Sequence, residues 1–245
     1  MDNYIKLKNE FKKFFKQNLS RWGFVMLIAL MSYFAITTNN ISLSFQSGFG
    51  STQWITIIIM MVSGNFLDME YENGTIINLF YKYDNKLTIY INKLFIASIY
   101  SVLLILFSLI ITVIFGYIFG LSVNIDQIDK LIINLSGTLI YSFFMISLAF
   151  LLLSILKSNI AVVGCGLFIG FIGTTISGFI EQLIPFLHSI LKWNPLNMIY
   201  IISKLNSPDF KYVSGLSSLN LILGNIIYTI LFIYLGYFLF KNRKI

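Results

Sequence analysis

Long apolar stretches separated by short polar ones dominate this chain. A helix of about 20 residues crosses the roughly 30 Å hydrocarbon core of a bilayer, and the pattern predicts six such helices. The predicted spans cover residues 22–38, 52–68, 89–119, 131–156, 160–180 and 219–240. The third is long enough to tilt or to extend beyond the bilayer. The predicted fold class is therefore an all-α integral membrane protein, with residues 1–245 forming a single transmembrane domain.

Residues 1–21 form an amphipathic pattern ahead of the first span. Apolar residues recur there every three or four positions, at Tyr4, Leu7, Phe11, Phe14, Phe15 and Leu19, and the series continues to Trp22 at the start of the first span. Lysines fall largely on the opposite face, at Lys6, Lys12, Lys13 and Lys16. This pattern predicts a helix in the inner headgroup layer, with its lysines attracted to anionic lipid. The alternative is a solvated basic tail without a fixed orientation.

Residues 181–204, between the last two spans, are apolar but contain two prolines and three ionisable residues. At helical spacing Glu181, His188 and Lys192 share one face. A full crossing would bury all three at a cost of about 2.5–3.5 kcal/mol for each central charge. We therefore expect a re-entrant or surface-lying pair of short helices, broken at Pro195. A further crossing is the alternative.

The lysines and arginines predict the orientation of the chain. An even number of spans leaves both termini on one side of the membrane. The basic residues concentrate on that side, whereas the first loop on the other side, residues 39–51, has no charge. Because positive charge is retained inside, both termini are predicted to be cytoplasmic, in a bacterial plasma membrane.

The composition agrees with a lipid-facing surface. Apolar residues make up 57% of the chain and charged residues only 11%, with a mean hydropathy of +0.82. Soluble domains carry about 25% charged residues, so an isolated soluble enzyme or a disordered tail is excluded. The net charge of +7 is explained by basic residues at the membrane face, and no nucleic-acid partner is expected.

Few residues are suited to catalysis or metal binding. His188 is the single histidine and Cys165 the single cysteine, so neither a Ser-His-Asp triad nor a histidine pair for a metal can form. A glycine-rich phosphate loop ending in Gly-Lys-Ser/Thr is also missing from the sequence. We therefore expect no catalytic, cofactor-binding or metal-binding residues, and no ATP site within this chain.

Glycines recur four residues apart in two of the spans. In lipid, small residues let helices approach closely and gain dispersion contacts. The predicted packing positions are Gly116, Gly120, Gly166, Gly170 and Gly173. A second hypothesis is that the face from Gly164 to Ser177 slides against another helix during a conformational cycle.

Residues 69–88 connect the second and third spans and differ from an ordinary short loop. Glu70 and Glu72 precede an Asn-Gly-Thr sequence, which ends one helix and can cap the next. A short apolar helix follows, with Ile76, Ile77, Leu79 and Phe80. Such a helix, presented to the cytosol, is typical of a docking element for a partner. The alternative is that it lies flat on the headgroups.

This segment resembles the cytoplasmic loop of ABC-2-type transporter permeases. The resemblance is carried by Glu70-Tyr71-Glu72-Asn73-Gly74-Thr75, by the apolar helix after it, and by a polar turn with Asn85-Lys86. The turn departs from the family, because Tyr83-Asp84-Asn85-Lys86 stands where many members have Pro-Ser/Thr-Arg. In size and lysine-rich style the chain is similar to permeases of Gram-positive bacteriocin-immunity and peptide-toxin exporters, such as the staphylococcal phenol-soluble modulin exporter.

The resemblance implies a role and partners. Two permease chains, identical or different, would form the pathway, and two separate cytosolic ABC ATPases would hold ATP and Mg. The ATPase-coupling residues would be Glu70, Glu72, Gly74, Thr75, Ile76, Ile77, Leu79, Phe80 and Asp84. The apolar members would fill a groove on the ATPase, and the acidic ones would pair with basic groups at its rim.

The substrate that we expect is an amphipathic peptide, a toxin or bacteriocin, or a lipid-like molecule. It would pass between the first, second and fifth spans, which carry almost no charge. Whether the peptide is secreted or removed as an immunity function is left open. The alternative function is a non-transporting membrane scaffold, sensor or channel-like module.

Overall fold

In the computed structural model of the chain, residues 3–82, 85–183, 185–204 and 214–243 are described, and their regular structure is helical throughout. The α-helices are α1 (Asn3–Lys16), α2 (Asn18–Thr37), α3 (Ile41–Gln46), α4 (Ser51–Glu72), α5 (Ile76–Lys82), α6 (Lys86–Ile118), α7 (Ile125–Leu156), α8 (Asn159–Leu183), α9 (His188–Leu191), α10 (Ile201–Lys204) and α11 (Ser218–Asn242). Pro185–Leu187 and Pro195–Tyr200 form 3₁₀ turns. The predicted all-α class is confirmed for this part of the chain.

Five of these helices are long and apolar enough to cross a membrane. They are α2, α6, α7, α8 over Asn159–Ile180, and α11. The predicted second span corresponds to α4, which has 22 residues but is less apolar, since Gln53, Asn65 and Asp68 lie along it. The five helices establish a multi-pass membrane protein.

Helix α7 lies at the centre of the bundle. It packs against α4, α6, α8, α10 and α11. Its large side chains Tyr141, Phe144 and Phe150 are fully buried. Because α7 is covered by protein rather than lipid on most of its surface, its neighbours α4 and α11 are fixed relative to each other.

The amphipathic N-terminal region is two helices, where one helix over residues 1–21 was expected. Helix α1 ends at Lys16, Gln17 is extended, and α2 begins at Asn18. The Ser20 hydroxyl donates to the Phe14 carbonyl (2.8 Å) and closes this break. The Phe14 ring is fully buried, so α1 is docked onto the bundle.

The loop between α2 and α4 also contains structure that the sequence did not predict. Helix α3 lies within residues 39–51, capped by the Asn40 side chain, which accepts from the Leu43 amide (3.1 Å). Phe45 and Phe49 are fully buried. The segment is uncharged because much of it packs inside the protein.

Residues 185–201 form short turns instead of one long helix. The Asn194 side chain caps the second 3₁₀ turn, and Met198 and Ile201 are fully buried. An added Cβ at Gly137 of α7 would lie 2.6 Å from the Ile201 carbonyl oxygen, so this segment is pressed against α7. The side chains of Glu181 and His188, on which the shared-face argument relied, lie outside the described residues.

Four of the five predicted packing glycines lie close to other side chains, and one does not. In α8, a Cβ at Gly166 would lie 2.9 Å from Met60 Sδ, and one at Gly170 would lie 3.0 Å from an Ile57 methyl group. Gly116 and Gly173 also have neighbours, Phe45 and Leu196. Gly120 does not fit the prediction, because a Cβ there would meet nothing within 4 Å. Its φ of +70° shows that it ends α6.

Candidate functional site

A buried cluster of charged side chains lies where α1, α4 and α6 meet. We define the charge cluster as Glu10 and Lys13 of α1, Glu70 of α4 and Lys93 of α6. The side chains of Glu70 and Lys93 are 0% exposed, and Glu10 is buried. Two carboxylates face two ammonium groups, so the formal charges cancel, as burial requires.

Lys93 is the innermost member of the cluster. Its Nζ lies 3.0 Å from Glu70 Oε1 and 3.4 Å from Glu10 Oε2. It also donates to the Phe66 carbonyl (3.0 Å) and lies 3.8 Å from the centroid of the Phe66 ring. Since a buried ammonium has three protons to satisfy, this arrangement compensates for its removal from water.

Glu70 connects the cluster to the segment that follows. Lys13 Nζ donates to Glu70 Oε1 (2.7 Å), and the Thr75 hydroxyl donates to Oε2. Burial raises the pKa of the Glu70 carboxyl, but the Lys93 ammonium and the hydrogen bonds from Lys13, Thr75 and Lys93 outweigh it. The pKa therefore lies below its ordinary value, and Glu70 is ionised at neutral pH.

Helix α5 begins immediately beyond this cluster. Asn73 ends α4, Gly74 has a φ of +64°, and Ile76 is the first residue of α5. A positive φ is accessible to glycine at little cost, so the chain reverses sharply at this point. Thr75, bound to Glu70, therefore fixes the start of α5 to the end of α4.

The coupling residues predicted on α5 do not share one exposed face. Ile76 and Leu79 are buried against the bundle. Phe80 is half-buried and lies edge-on to Phe240 of α11, with ring centroids 6.0 Å apart. Among its large apolar side chains, Ile77 (42%) and Tyr81 (88%) are exposed. The expectation that all four apolar residues fill a partner's groove is therefore corrected for Ile76 and Leu79.

The predicted acidic coupling residues also differ from one another. Glu72 is exposed, as are Asn73 and Gly74. Glu70 is buried and bound to lysines of its own chain, so its expected ion pair with a partner's rim is replaced by an internal one. Asp84 lies outside the described residues.

The predicted membrane-surface lysines are similarly divided. Lys12 and Lys16 are exposed on α1. Lys13 is turned towards the protein and bound to Glu70, at a side-chain exposure of 40%. The side chain of Lys6 lies outside the described residues.

The end of α11 contacts the residues on either side of α5, at the end of α4 and the start of α6. Lys86 Nζ donates to the Lys241 carbonyl (3.0 Å), and the Arg243 guanidinium lies 3.5 Å from the centroid of the Tyr71 ring. Burial raises the pKa of Tyr71 to about 12, although Arg243 acts in the opposite direction. Tyr71 therefore remains a neutral phenol against which the cation stacks.

The sequence did not single out Glu10 and Lys93 as members of a site. The position of Lys93 does indicate a buried ion pair, because it lies four residues inside the predicted third span, where an unpaired charge is costly. In the described part of the chain, no group of three or more His, Cys, Asp or Glu side chains could hold a metal ion.

One family comparison covers both the charge cluster and α5. A family model described as "ABC-2 family transporter protein" matches residues 6–173. The matched region begins in α1 and ends in α8, and it includes every helix that contributes to the cluster. No curated protein matches the chain significantly.

Proposed function

Since this chain belongs to the ABC-2 family of transporter proteins and is a membrane permease of an ABC transporter, we propose that it exports an amphipathic peptide or lipid-like molecule. ATP and Mg are held by a separate cytosolic ATPase, two copies of which serve two permease chains. In this proposal α4 also crosses the membrane, which brings the number of spans to six. Helices α1 and α5 and both termini then lie on the cytoplasmic side.

One observation carries the coupling proposal: α5 projects Ile77 and Tyr81 from a base that buried charges hold rigid. Thr75 at the start of α5 binds Glu70, and Glu70 binds Lys13 of α1 and Lys93 of α6. A displacement of α5 is therefore transmitted to α1, α4 and α6 together. Glu72 is the exposed acidic residue that is suited to pair with a basic group of the ATPase.

ATP drives transport only through a difference in contact free energy between two states. We propose that closure of the ATPase pair pulls the α5 helices together and that the charge cluster transmits this movement. The face of α8 that packs on α4 includes Gly166 and Gly170, which lie against the side chains of Met60 and Ile57. We propose that the lack of side chains at these two positions allows the two helices to shift relative to each other.

The substrate class is proposed from the chemistry of the helices that we assign to the pathway. Within α2 the charged residue is Arg21, close to its start. Helix α8 is uncharged from Asn159 to Ile180. Walls of this kind suit a molecule with a continuous apolar face. Tyr33 of α2 and Phe168 of α8 are exposed aromatic residues. In this proposal they contact the substrate, the surrounding lipid or the second permease chain.

The segment from 185 to 201 is proposed to be a re-entrant element at the outer end of the bundle. It is held by the Asn225 side chain, which donates to the Met198 carbonyl (3.2 Å), and by the Tyr228 hydroxyl, which donates to the Trp193 carbonyl (2.7 Å). Non-helical backbone is tolerated at membrane depth when protein satisfies its polar groups in this way.

Replacing Ile77 with Asp tests the coupling proposal. The matched control is Ile125→Asp, because Ile125 is also exposed (78%) but lies at the start of α7. A tagged permease purified from its own cells should capture a cassette ATPase, measured by quantitative mass spectrometry. Ile77→Asp should reduce capture about 30-fold, as expected for a central interface residue, and Ile125→Asp should leave it unchanged.

Two outcomes would count against the proposal. Undiminished capture by Ile77→Asp would show that α5 is not the docking element. Full activity of the chain without any ATPase would favour the scaffold, sensor or channel-like alternative. Insertion of each variant is checked by its yield in the membrane fraction, so that loss of docking is distinguished from loss of folding.

A further inference from the structure

A cleft lies between α1 and α6, separate from the charge cluster. It has a volume of about 190 Å³, with Leu7, Lys8 and Phe11 on the α1 side and Phe95, Ile96 and Ile99 on the α6 side. The lining is apolar except for the Lys8 side chain. Phe95 is 52% exposed and Phe11 is 36% exposed, so the cleft opens to the outside of the bundle.

The cleft continues into an apolar stripe along α6. Beyond it, Val102, Leu106 and Ile110 are exposed on the same helix. At 1.5 Å per residue, the distance from Phe95 to Ile110 is about 22 Å, which exceeds the roughly 15 Å depth of one leaflet's hydrocarbon. A lipid chain that enters the cleft can therefore remain in contact with α6 to the middle of the bilayer.

The polar end of the cleft is positively charged. The exposed charged residues described on α1 are lysines, including Lys8 and Lys12. The acidic residue of this helix, Glu10, is buried and paired with Lys93. It therefore does not neutralise Lys8, which is free to attract an anion at the headgroup level.

We propose that this cleft is a binding site for one anionic phospholipid. An acyl chain occupies the space between Phe11 and Phe95, and the phosphate lies beside Lys8. Bound lipid would fill the gap between α1 and α6 and hold α1 at the level of the inner headgroups. This inference rests on the membrane location of the chain and is independent of the coupling role of α5.

The test uses the full chain in nanodiscs that contain equal amounts of palmitoyl-oleoyl phosphatidylglycerol and phosphatidylcholine. Native mass spectrometry counts the lipids that remain bound after the nanodisc is removed. Wild type should retain phosphatidylglycerol over phosphatidylcholine by about fivefold, the factor that corresponds to the attraction of one lysine near a membrane. Lys8→Glu should abolish this preference, and Phe95→Trp should reduce retention of both lipids by filling the cleft.

Lys157→Glu is the matched control, because Lys157 is an exposed lysine that lies neither on α1 nor at the cleft. It should retain phosphatidylglycerol as wild type does. Equal losses in Lys8→Glu and Lys157→Glu would indicate a diffuse effect of net charge and would overturn the proposal, as would unchanged retention in Lys8→Glu. Circular dichroism verifies folding, and Lys8→Gln, expected to lose the preference as well, replaces Lys8→Glu if that variant is unfolded.

Discussion

Lys93 illustrates how a charge can be accommodated at the end of an apolar bundle. Its ammonium group contacts two carboxylates, a backbone carbonyl and an aromatic face. Replacing such a group by an apolar one removes the desolvation cost of one ion, but it also leaves its partners buried without compensation. Breaking a buried pair in this way is strongly destabilising.

Lys93→Met should therefore lower the free energy of unfolding by about 3–5 kcal/mol. Methionine keeps the unbranched shape, so the loss comes from the Glu10 carboxylate, which loses its ion pair with Lys93, and from the weaker pairing of Glu70, rather than from a cavity. Thermal unfolding of the purified chain in detergent measures the change. Lys16→Met, at an exposed position of α1, should remain within about 0.5 kcal/mol of wild type.

The double variant Lys93→Met/Glu10→Gln provides the decisive comparison. Neutralising Glu10 leaves Glu70 paired with Lys13 and removes the one carboxylate charge that Lys93→Met leaves uncompensated. This variant should regain part of the lost stability. If it unfolds at the same temperature as Lys93→Met, the ion pair between Lys93 and Glu10 contributes nothing to stability.

Individual residues of the site were predictable only in part. The sequence places Glu70 and Glu72 two residues apart before a turn, and it predicts that both meet a partner. On a helix, however, positions two apart point in different directions, and Glu70 is directed inwards where α1 and α6 approach. The direction of each side chain depends on how α4 packs, which the local sequence does not contain.

At the scale of helices, the contact between α4 and α8 depends on glycine. Gly166→Leu should lower the free energy of unfolding by about 1–3 kcal/mol, the usual cost of overpacking. The reason is that even a Cβ there would lie 2.9 Å from Met60 Sδ. Unfolding in detergent, followed by circular dichroism, provides the measurement.

Gly164→Leu is the matched control for this substitution. Gly164 is on the same helix, and an added Cβ would meet nothing within 4 Å. Leucine also has a better helix propensity than glycine, so this variant should be as stable as wild type or slightly more stable. Equal destabilisation of the two variants would mean that the glycines do not set the approach of α8 to α4.

Helices were predictable where periodicity and length decide the structure, and less so where packing does. The apolar stretch from 89 to 119 corresponds to α6, and the short helix after Gly74 corresponds to α5. Helix α3 was missed because six residues give no clear period, and its formation depends on burying Phe45. The break at Gln17 was missed because the apolar stripe continues through it.

For the whole molecule, the apolar pattern predicts a polytopic membrane protein, and the helices agree. The number of crossings depends on α4. Its 22 residues span about 33 Å, enough for the roughly 30 Å core of a bilayer. Two of its polar residues bind other parts of the protein. The Asp68 carboxylate accepts from the backbone N–H of Asn159 (2.7 Å), and the Gln53 side chain donates to the Gly170 carbonyl (3.1 Å). We therefore propose that α4 also crosses the bilayer, shielded from lipid by its neighbours.

Cysteine labelling separates six crossings from five. In a Cys165→Ala background, Asn39→Cys and Glu72→Cys introduce thiols at exposed positions on either side of α4. If α4 crosses the bilayer, a membrane-impermeant maleimide applied to intact cells labels residue 39 and not residue 72. Cells that express the permease without its ATPase are used, so that a docked partner does not protect residue 72.

Asn242→Cys, near the end of α11, extends the same test to the C-terminus. With six crossings it should behave as Glu72→Cys does and react only after the membrane is opened, which also demonstrates that each thiol is reactive. Labelling of residues 39 and 72 from the same side would mean that α4 does not cross. Five crossings would then place the termini on opposite sides, and α5 would lie on the side of the membrane away from the N-terminus. That arrangement is incompatible with the charge cluster, in which Glu70 at the end of α4 binds Lys13 of α1.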